Sequence, residues 1–261
     1  MINIRTEEEI DLIRESSLLV GKTLAEVAKN IRPGIKTNTL DKIAENFIKD
    51  HGAKPAFKGY GGFPATLCIS INDQVVHGIP GERVLKDGDI VSVDCGVVLQ
   101  GYYGDSAYTF AVGKIKETHE LLMQRTKESL SKGIEMAVSG KRIGDIGFAV
   151  QSYVEGFGYS VVRELVGHGL GKALHEKPDI PNFGRRGSGM KLKERMVICI
   201  EPMINLGKRY IVQEPDGWTI RTVDRFPSAH FEHAVVIRKD KAEVLSTFKF
   251  IEEVLNEQAK N

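Results

Sequence analysis

An α+β architecture is the fold class that the sequence predicts, and three features point to it. Amphipathic helix patterns alternate with short apolar runs of strand length. No linker or low-complexity tract interrupts residues 1–261, so a single domain is expected. The order helix, strands, helix, strands occurs twice, which suggests two related halves, about 1–115 and 116–261, sharing one sheet.

The first helix opens on Thr6 and Glu9, which fit a capping box that satisfies amides left open at a helix start. Ile10, Ile13, Ser17, Val20, Leu24, Val27 and Ile31 then recur at steps of three and four, and Pro33-Gly34 ends the run. A second helix is expected over 38–51, with Leu40, Ile43, Ala44, Phe47 and Ile48 on one side and Gly52 as its stop. A turn-rich stretch, 58–64, precedes strand-like runs at 66–71, 90–94, 97–99 and 108–112. Helices are expected over 118–137 and 143–157, further strands near 159–166, 196–201 and 231–238, and a short last helix over 251–258. The repeat shows best where residues 85–94 align without gaps on 192–201. Each block is a Leu-Lys-acid start, an apolar strand and a terminal carboxylate, Asp94 or Glu201.

Composition narrows the function. A net charge of +1, from 36 basic and 35 acidic residues, argues against a general nucleic-acid binder, so no specific DNA binding is expected. No apolar run approaches the ~18 residues of a membrane span, and residues 1–10 lack the apolar core of a secretory leader. Cys68, Cys95 and Cys199 are widely spaced with no C-x-x-C pair. They read as small buried residues of a protein in the reducing cytoplasm rather than as a structural zinc site.

The chemistry-bearing residues gather at strand ends. Asp94 closes Val91-Ser-Val-Asp94, and Asp105 follows eleven positions later, a spacing that suits a hairpin bringing two carboxylates side by side. Close carboxylates repel unless a cation sits between them. Glu201 ends a second apolar strand, Glu232 begins a third, and His168 sits in the glycine-rich Val166-Gly-His-Gly-Leu-Gly171. Four carboxylates neutralise two divalent cations, and oxygen ligands with one imidazole suit Mn, Fe or Co at least as well as Zn. The glycines around His168 do not have the spacing of a phosphate-cradling loop, and close backbone approach explains them better. His77 and His175 each follow apolar residues and precede a turn. Taken alone, either could be a satisfied core histidine.

At these residues the chain resembles the type I methionine aminopeptidases of the short bacterial kind. The matching segments include Cys68-Ile-Ser-Ile-Asn72, Val76-His-Gly-Ile-Pro80, Gly104-Asp105, Gly167-His-Gly169, Ile200-Glu-Pro-Met203 and Glu232-His233. They run over about 4–238. The resemblance implies the pita-bread fold, two pseudo-symmetric halves with a curved antiparallel sheet covered by helices. It implies two divalent metal ions (Fe, Mn, Co or Zn), with Asp94 on one, Asp105 and Glu232 bridging, and His168 and Glu201 on the other. His77, His175 and Glu201 take catalytic roles, and Tyr60, Phe63, Cys68 and Trp218, with His77 and His175, contact the substrate. Leu174 and Phe57 depart from many relatives, which have phenylalanine and cysteine there; both affect the pocket wall, not the metals.

The implied activity is removal of the initiator methionine from nascent proteins when the second residue is small. The implied enzyme is a cytoplasmic monomer that acts on N-terminal peptides, with association to the ribosome a further expectation. A proline-directed peptidase of the same fold is the nearest rival. Its usual N-terminal domain finds no room ahead of Asp94, and the 33 positions from His168 to Glu201 leave none for the helical subdomain of type II enzymes. A non-enzymatic binding protein of this fold is the rival from another class, and the five intact ligand positions weigh against it.

Overall fold

The capping box at the first helix forms. Glu9 N donates to Thr6 Oγ1 at 3.2 Å, and Thr6 N donates to Glu9 Oε2 at 3.1 Å. The structure, a computed structural model, describes residues 2–260. The first half holds α1 (Glu7–Ala28), α2 (Thr37–Asp50), β1 (Lys54–Pro55), β2 (Leu67–Ile71), β3 (Gln74–Val76), β4 (Ile90–Leu99) and β5 (Tyr102–Ala111). The second holds α3 (Glu117–Met136), α4 (Ile143–Glu155), β6 (Ser160–Val161), β7 (Gly167–Gly169), β8 (Glu176–Ile180), β9 (Val197–Ile200) and β10 (Met203–Asn205). It continues through β11 (Ile211–Gln213), β12 (Ile220–Thr222), β13 (Ser228–His230), β14 (His233–Val236), β15 (Glu243–Val244) and α5 (Lys249–Gln258).

The longest ladder is the hairpin β4–β5, paired from Ile90↔Ala111 to Leu99↔Tyr102. Its two loop residues, Gln100 and Gly101, both have positive φ (51° and 81°), as the tight turn that matches strand twist requires. Pattern reading splits this hairpin into three pieces, 90–94, 97–99 and 108–112. The cause is glycine inside strands. A Cβ on Gly104 would meet Ser16 O at 2.7 Å, and one on Gly96 would meet Ala56 Cβ at 2.9 Å. Gly104 lets the backbone of α1 lie close against the sheet, and Gly96 makes room for the side chains of Ala56 and Phe57.

The two halves repeat the same backbone hydrogen bonds. Gly34 N donates to Leu85 O and Leu85 N to Ile35 O, both at 2.8 Å. In the second half Gly140 N donates to Leu192 O at 3.0 Å and Leu192 N to Lys141 O at 2.8 Å. The helix that follows starts alike in both, with Thr37 N on Arg83 O and Ile143 N on Met190 O, each at 3.0 Å. Leu85 and Leu192, the first residues of the aligned blocks, are both fully buried in the main core.

Among the described residues the strands form four hydrogen-bonded sheets, all antiparallel in their paired strands. β12 of the second half pairs with β3 of the first, at Ile220↔Val76. Glu232 N donates to Ala107 O at 3.0 Å, and Thr109 Oγ1 donates to His230 O at 2.7 Å. One hydrophobic core unites Leu40, Ile48 and Phe110 with Ile146, Ile198 and Phe231. The strand expected near 159–166 is only Ser160–Val161, and the glycine-rich segment around His168 contains strand β7. No described helix is long and apolar enough to cross a membrane.

Candidate active site

The hairpin β4–β5 sets the first two carboxylates. Asp94 pairs with Ala107 and Asp105 with Gly96, so the two acids lie diagonally across the ladder on one face rather than directly opposite. They are close enough for a hydrogen bond between their side chains. Glu201 follows the last residue of β9, and Glu232 sits between β13 and β14 with its carbonyl accepting from Ser106 Oγ at 2.7 Å. His168 is the middle residue of β7, which pairs with both β8 and β9. Its neighbours are glycines because the strand is squeezed: a Cβ on Gly169 would meet Lys177 O at 2.6 Å.

His168 Nδ1 lies 2.9 Å from Gly169 O, which fixes the proton on that nitrogen. The lone pair of Nε2 is left facing Glu201 Oε1 at 3.5 Å and Asp105 Oδ2 at 3.8 Å. One ligand atom each from Asp105, His168, Cys199 and Glu232 lies within 4.8 Å of the others. Cys199, read from sequence as a small core residue, is buried and also turns its sulfur to this cluster, in hydrogen-bond contact with Glu232.

The cluster is electrostatically frustrated as a set of bare side chains. Burial pushes Asp94 up to about 7 and raises Asp105, Glu201 and Glu232 well above the carboxylate range, with mutual repulsion adding to the last three. Burial also lowers His168 to about 4, so its imidazole is neutral. Asp94 Oδ1, Asp105 Oδ1 and Glu232 Oε1 are buried with no hydrogen-bond partner. No Lys or Arg stands among the described residues lining the surrounding cavity. Partnerless anionic oxygens, a neutral imidazole with a free lone pair and no cationic side chain fit a divalent cation.

A pH dependence follows. These acids have folded pKa values above their unfolded values. In the chelated protein, stability is therefore greatest below pH ~4 as far as these groups are concerned, and falls as pH rises towards 7 and beyond. A divalent cation removes that penalty, so the gain in Tm on adding Mn²⁺ should increase from pH 5 to pH 8. A constant gain by thermal melts would contradict the assignment of a cation to this cluster.

The cluster forms the floor of a cavity of about 330 Å³. All eleven residues given catalytic, substrate or metal roles from the sequence line it: Tyr60, Phe63, Cys68, His77, Asp94, Asp105, His168, His175, Glu201, Trp218 and Glu232. Phe63, Cys68 and Leu174 belong to one apolar cluster with Phe57, and Trp218 packs edge-on against Phe63 at 5.2 Å between centroids. His175 stands at the exposed mouth, its ring 4.4 Å from that of His168 and its Nδ1 2.8 Å from Tyr60 Oη. Desolvation, with His175 nearby, takes His77 down to about 4.

Residues 11–239 match the profile of metallopeptidase family M24. The chain belongs to metallopeptidase family M24. Among relatives in this M24 family, the methionine aminopeptidase of Clostridium perfringens is 52% identical over 249 residues, covering 95% of this chain and all of that one. Methionine aminopeptidase 1 of Bacillus subtilis is 50% identical, over 94% of this chain and 99% of its own. The crystal structure of methionine aminopeptidase from Rickettsia prowazekii superposes with a TM-score of 0.93 at 43% identity, covering 95% of this chain and 100% of that one. A prolidase from Pyrococcus furiosus, at 24% identity and TM-score 0.77, covers 94% of this chain and 65% of its own, and shares the fold. The architecture is the pita-bread fold of M24 enzymes, two pseudo-symmetric halves around antiparallel strands.

Membership of M24 implies a divalent metal, and the acidic cluster is where the residues suit one. Sequence reading left several lining residues unassigned, among them Val76, Leu165, Met203 and His230. His230 stands two positions before Glu232, an alternation that could have drawn attention to it.

Proposed function

We propose that this M24 enzyme is a methionine aminopeptidase that removes the initiator methionine from nascent polypeptides whose second residue is small. The observation that carries the reading is one cavity holding both a cation-suited acidic floor and a narrow apolar wall of Phe63, Cys68, Leu174 and Trp218. An unbranched, polarizable thioether suits such a wall. The 50–52% identity to curated methionine aminopeptidases supports it over the proline-directed reading, for which the likeness lies in the fold.

Two divalent ions, Fe, Mn, Co or Zn, are the proposed complement. Asp94 would hold one, His168 and Glu201 the other, and Asp105 and Glu232 both. When bound, they supply Lewis-acid polarisation and a water acidic enough to deliver hydroxide near neutral pH. The remaining chemistry is the chain's own. Tyr60 Oη donates to His175 Nδ1 in the tautomer that leaves a proton on Nε2, a donor for charge developing on the scissile carbonyl oxygen. Glu201 takes the proton of the attacking water and gives it to the leaving amine, a service typically worth ~10²–10⁴-fold. His77, neutral at working pH, hydrogen-bonds the peptide backbone on the leaving side. The apolar wall selects methionine with ~1–3 kcal/mol per methylene.

The rest of the proposal is a single catalytic domain of two halves, about 1–115 and 116–261, acting as a cytoplasmic monomer on N-terminal peptides, with access to chains at the ribosome. The test is hydrolysis of Met-Ala-Ser, Met-Leu-Ser and Ala-Pro-Ala by chelated protein, before and after adding Mn, Fe, Co or Zn. Methionine release from Met-Ala-Ser alone, restored by metal, is expected. Cleavage of Ala-Pro-Ala instead would move the enzyme to the proline-directed branch, and silence with every metal would favour a binding protein.

A further inference from the structure

We propose that Arg5 is a positioning residue for the reaction: through Glu176 it fixes the loop over 170–176, and so holds the His175 imidazole in place to serve the scissile carbonyl oxygen. The inference rests on the aminopeptidase reading above and on His175 as its oxyanion donor.

Glu176 directly follows His175 and opens β8. Its carboxylate gathers four donors, and each oxygen has its own pair. Oε1 accepts from the backbone N–H groups of Lys172 at 2.9 Å and Ala173 at 3.1 Å, which curls the loop back on itself. Oε2 accepts from Asn3 Nδ2 at 2.6 Å and from Arg5 Nη2, both in the irregular segment ahead of α1. Arg5 Nη2 also donates to Leu170 O at 3.3 Å, and the Arg5 backbone N–H donates to Arg195 O at 3.0 Å. Gly171 makes room for the side chain: a Cβ there would meet Arg5 Nε at 2.8 Å. The guanidinium therefore clamps both ends of the loop, Leu170 and Glu176.

Stability alone does not account for this pair. The two side chains are only 6% and 10% exposed. At such depth, the loss of hydration takes back about what the attraction gives, and the net stabilisation of an ion pair is small. Arg5 Nε is also buried with no partner, a further cost. Burial would raise the Glu176 carboxyl, but the bonds from Asn3, Ala173 and Arg5 hold it below its ordinary value, so it is ionised at working pH. An apolar residue at position 5 could anchor the segment without burying charge. What the ion pair adds is one defined geometry for the loop.

The residue that needs that geometry is the next one back. The ring of His175 is steered by Tyr60 Oη at 2.8 Å and by the edge-on ring of His168 at 4.4 Å. Both contacts act on the ring. The backbone that carries it is set on one side by Leu174, buried in the apolar cluster, and on the other by the Glu176 carboxylate. A donor to a developing oxyanion is effective only if it is in place before the charge appears, and small misplacements are costly. Arg5 touches neither substrate nor reacting atoms, so its effect on the reaction passes through His175.

The experiment compares Mn-loaded parent, Arg5→Met and Arg5→Lys proteins on Met-Ala-Ser, each with His175 intact and with His175→Ala. Arg5→Met should lower kcat about tenfold with KM and metal content unchanged, and Arg5→Lys, which restores the charge, should lie between it and the parent. In the His175→Ala background the same change should cost less than about twofold, because the residue it acts through is gone. Imidazole nitrogen NMR of the Zn-loaded proteins gives a second readout, with the His175 signal identified by its loss in His175→Ala. One fixed tautomer is expected in the parent and an averaged signal in Arg5→Met. If Arg5→Met does not fold, Glu176→Gln takes its place in both backgrounds with the same expectations, since it keeps an oxygen for the loop amides and turns an NH2 group to Arg5. Unchanged kcat with an unchanged His175 signal, a tenfold loss that persists in the His175→Ala background, or loss of metal along with activity would overturn the proposal. A parent that does not cleave Met-Ala-Ser would overturn the aminopeptidase reading, while the NMR comparison still decides whether Arg5 holds His175.

Discussion

Asp105→Asn should strip the enzyme of its full metal complement and lower activity by at least ~100-fold at limiting metal, more than the 10–100-fold typical of residues that only support a ligand. Asp105 is 3% exposed, lies within reach of Asp94, His168 and Glu232, and carries an oxygen with no protein partner. Asparagine keeps the shape but removes the charge and turns one acceptor into a donor. The same change has an opposite effect on the metal-free protein. It relieves repulsion among Asp94, Asp105 and Glu232, so the chelated variant should melt higher than the chelated parent. Calorimetric titration with Mn²⁺ and melts in chelator check both signs. Full metal stoichiometry at parent affinity would remove Asp105 from the centre.

His175→Ala should leave the metals in place and lower kcat by ~10²–10³, the usual loss when one preorganised donor to a developing oxyanion is removed. His175 stands at the exposed mouth and holds no carboxylate, so the acidic floor does not depend on it. KM should change little, because the interaction strengthens only as charge develops. Metal content and kinetics on Met-Ala-Ser measure the two parts separately. Unchanged kcat would take His175 out of the mechanism, and loss of metal would recast it as a support of the cluster.

The site was more legible in the sequence than the strands that carry it. Asp94, Glu201 and Glu232 stand beside apolar runs long enough to read, and His168 is bracketed by glycines, so each had a local signal. The repeat was legible because Leu85 and Leu192 begin equivalent buried blocks. The short strands β10 to β13 were not, since three residues carry no periodicity. β8 hid behind Pro178, tolerated because β8 lies at the edge of its sheet. β5 hid behind Gly104, whose reason is the approach of α1 from another part of the chain. Cys199 and His230 were missed for a related cause. Nothing local separates a sulfur beside the acidic cluster, or an imidazole on the cavity wall, from one packed wholly in the core, and His233 is a histidine of the second kind.

Anomalous diffraction from crystals grown with Mn²⁺ decides whether these five residues form a divalent metal centre. Mn peaks enclosed by Asp94, Asp105, His168, Glu201 and Glu232 are expected. Peaks bound only elsewhere on the protein, with none in this cluster, would contradict it.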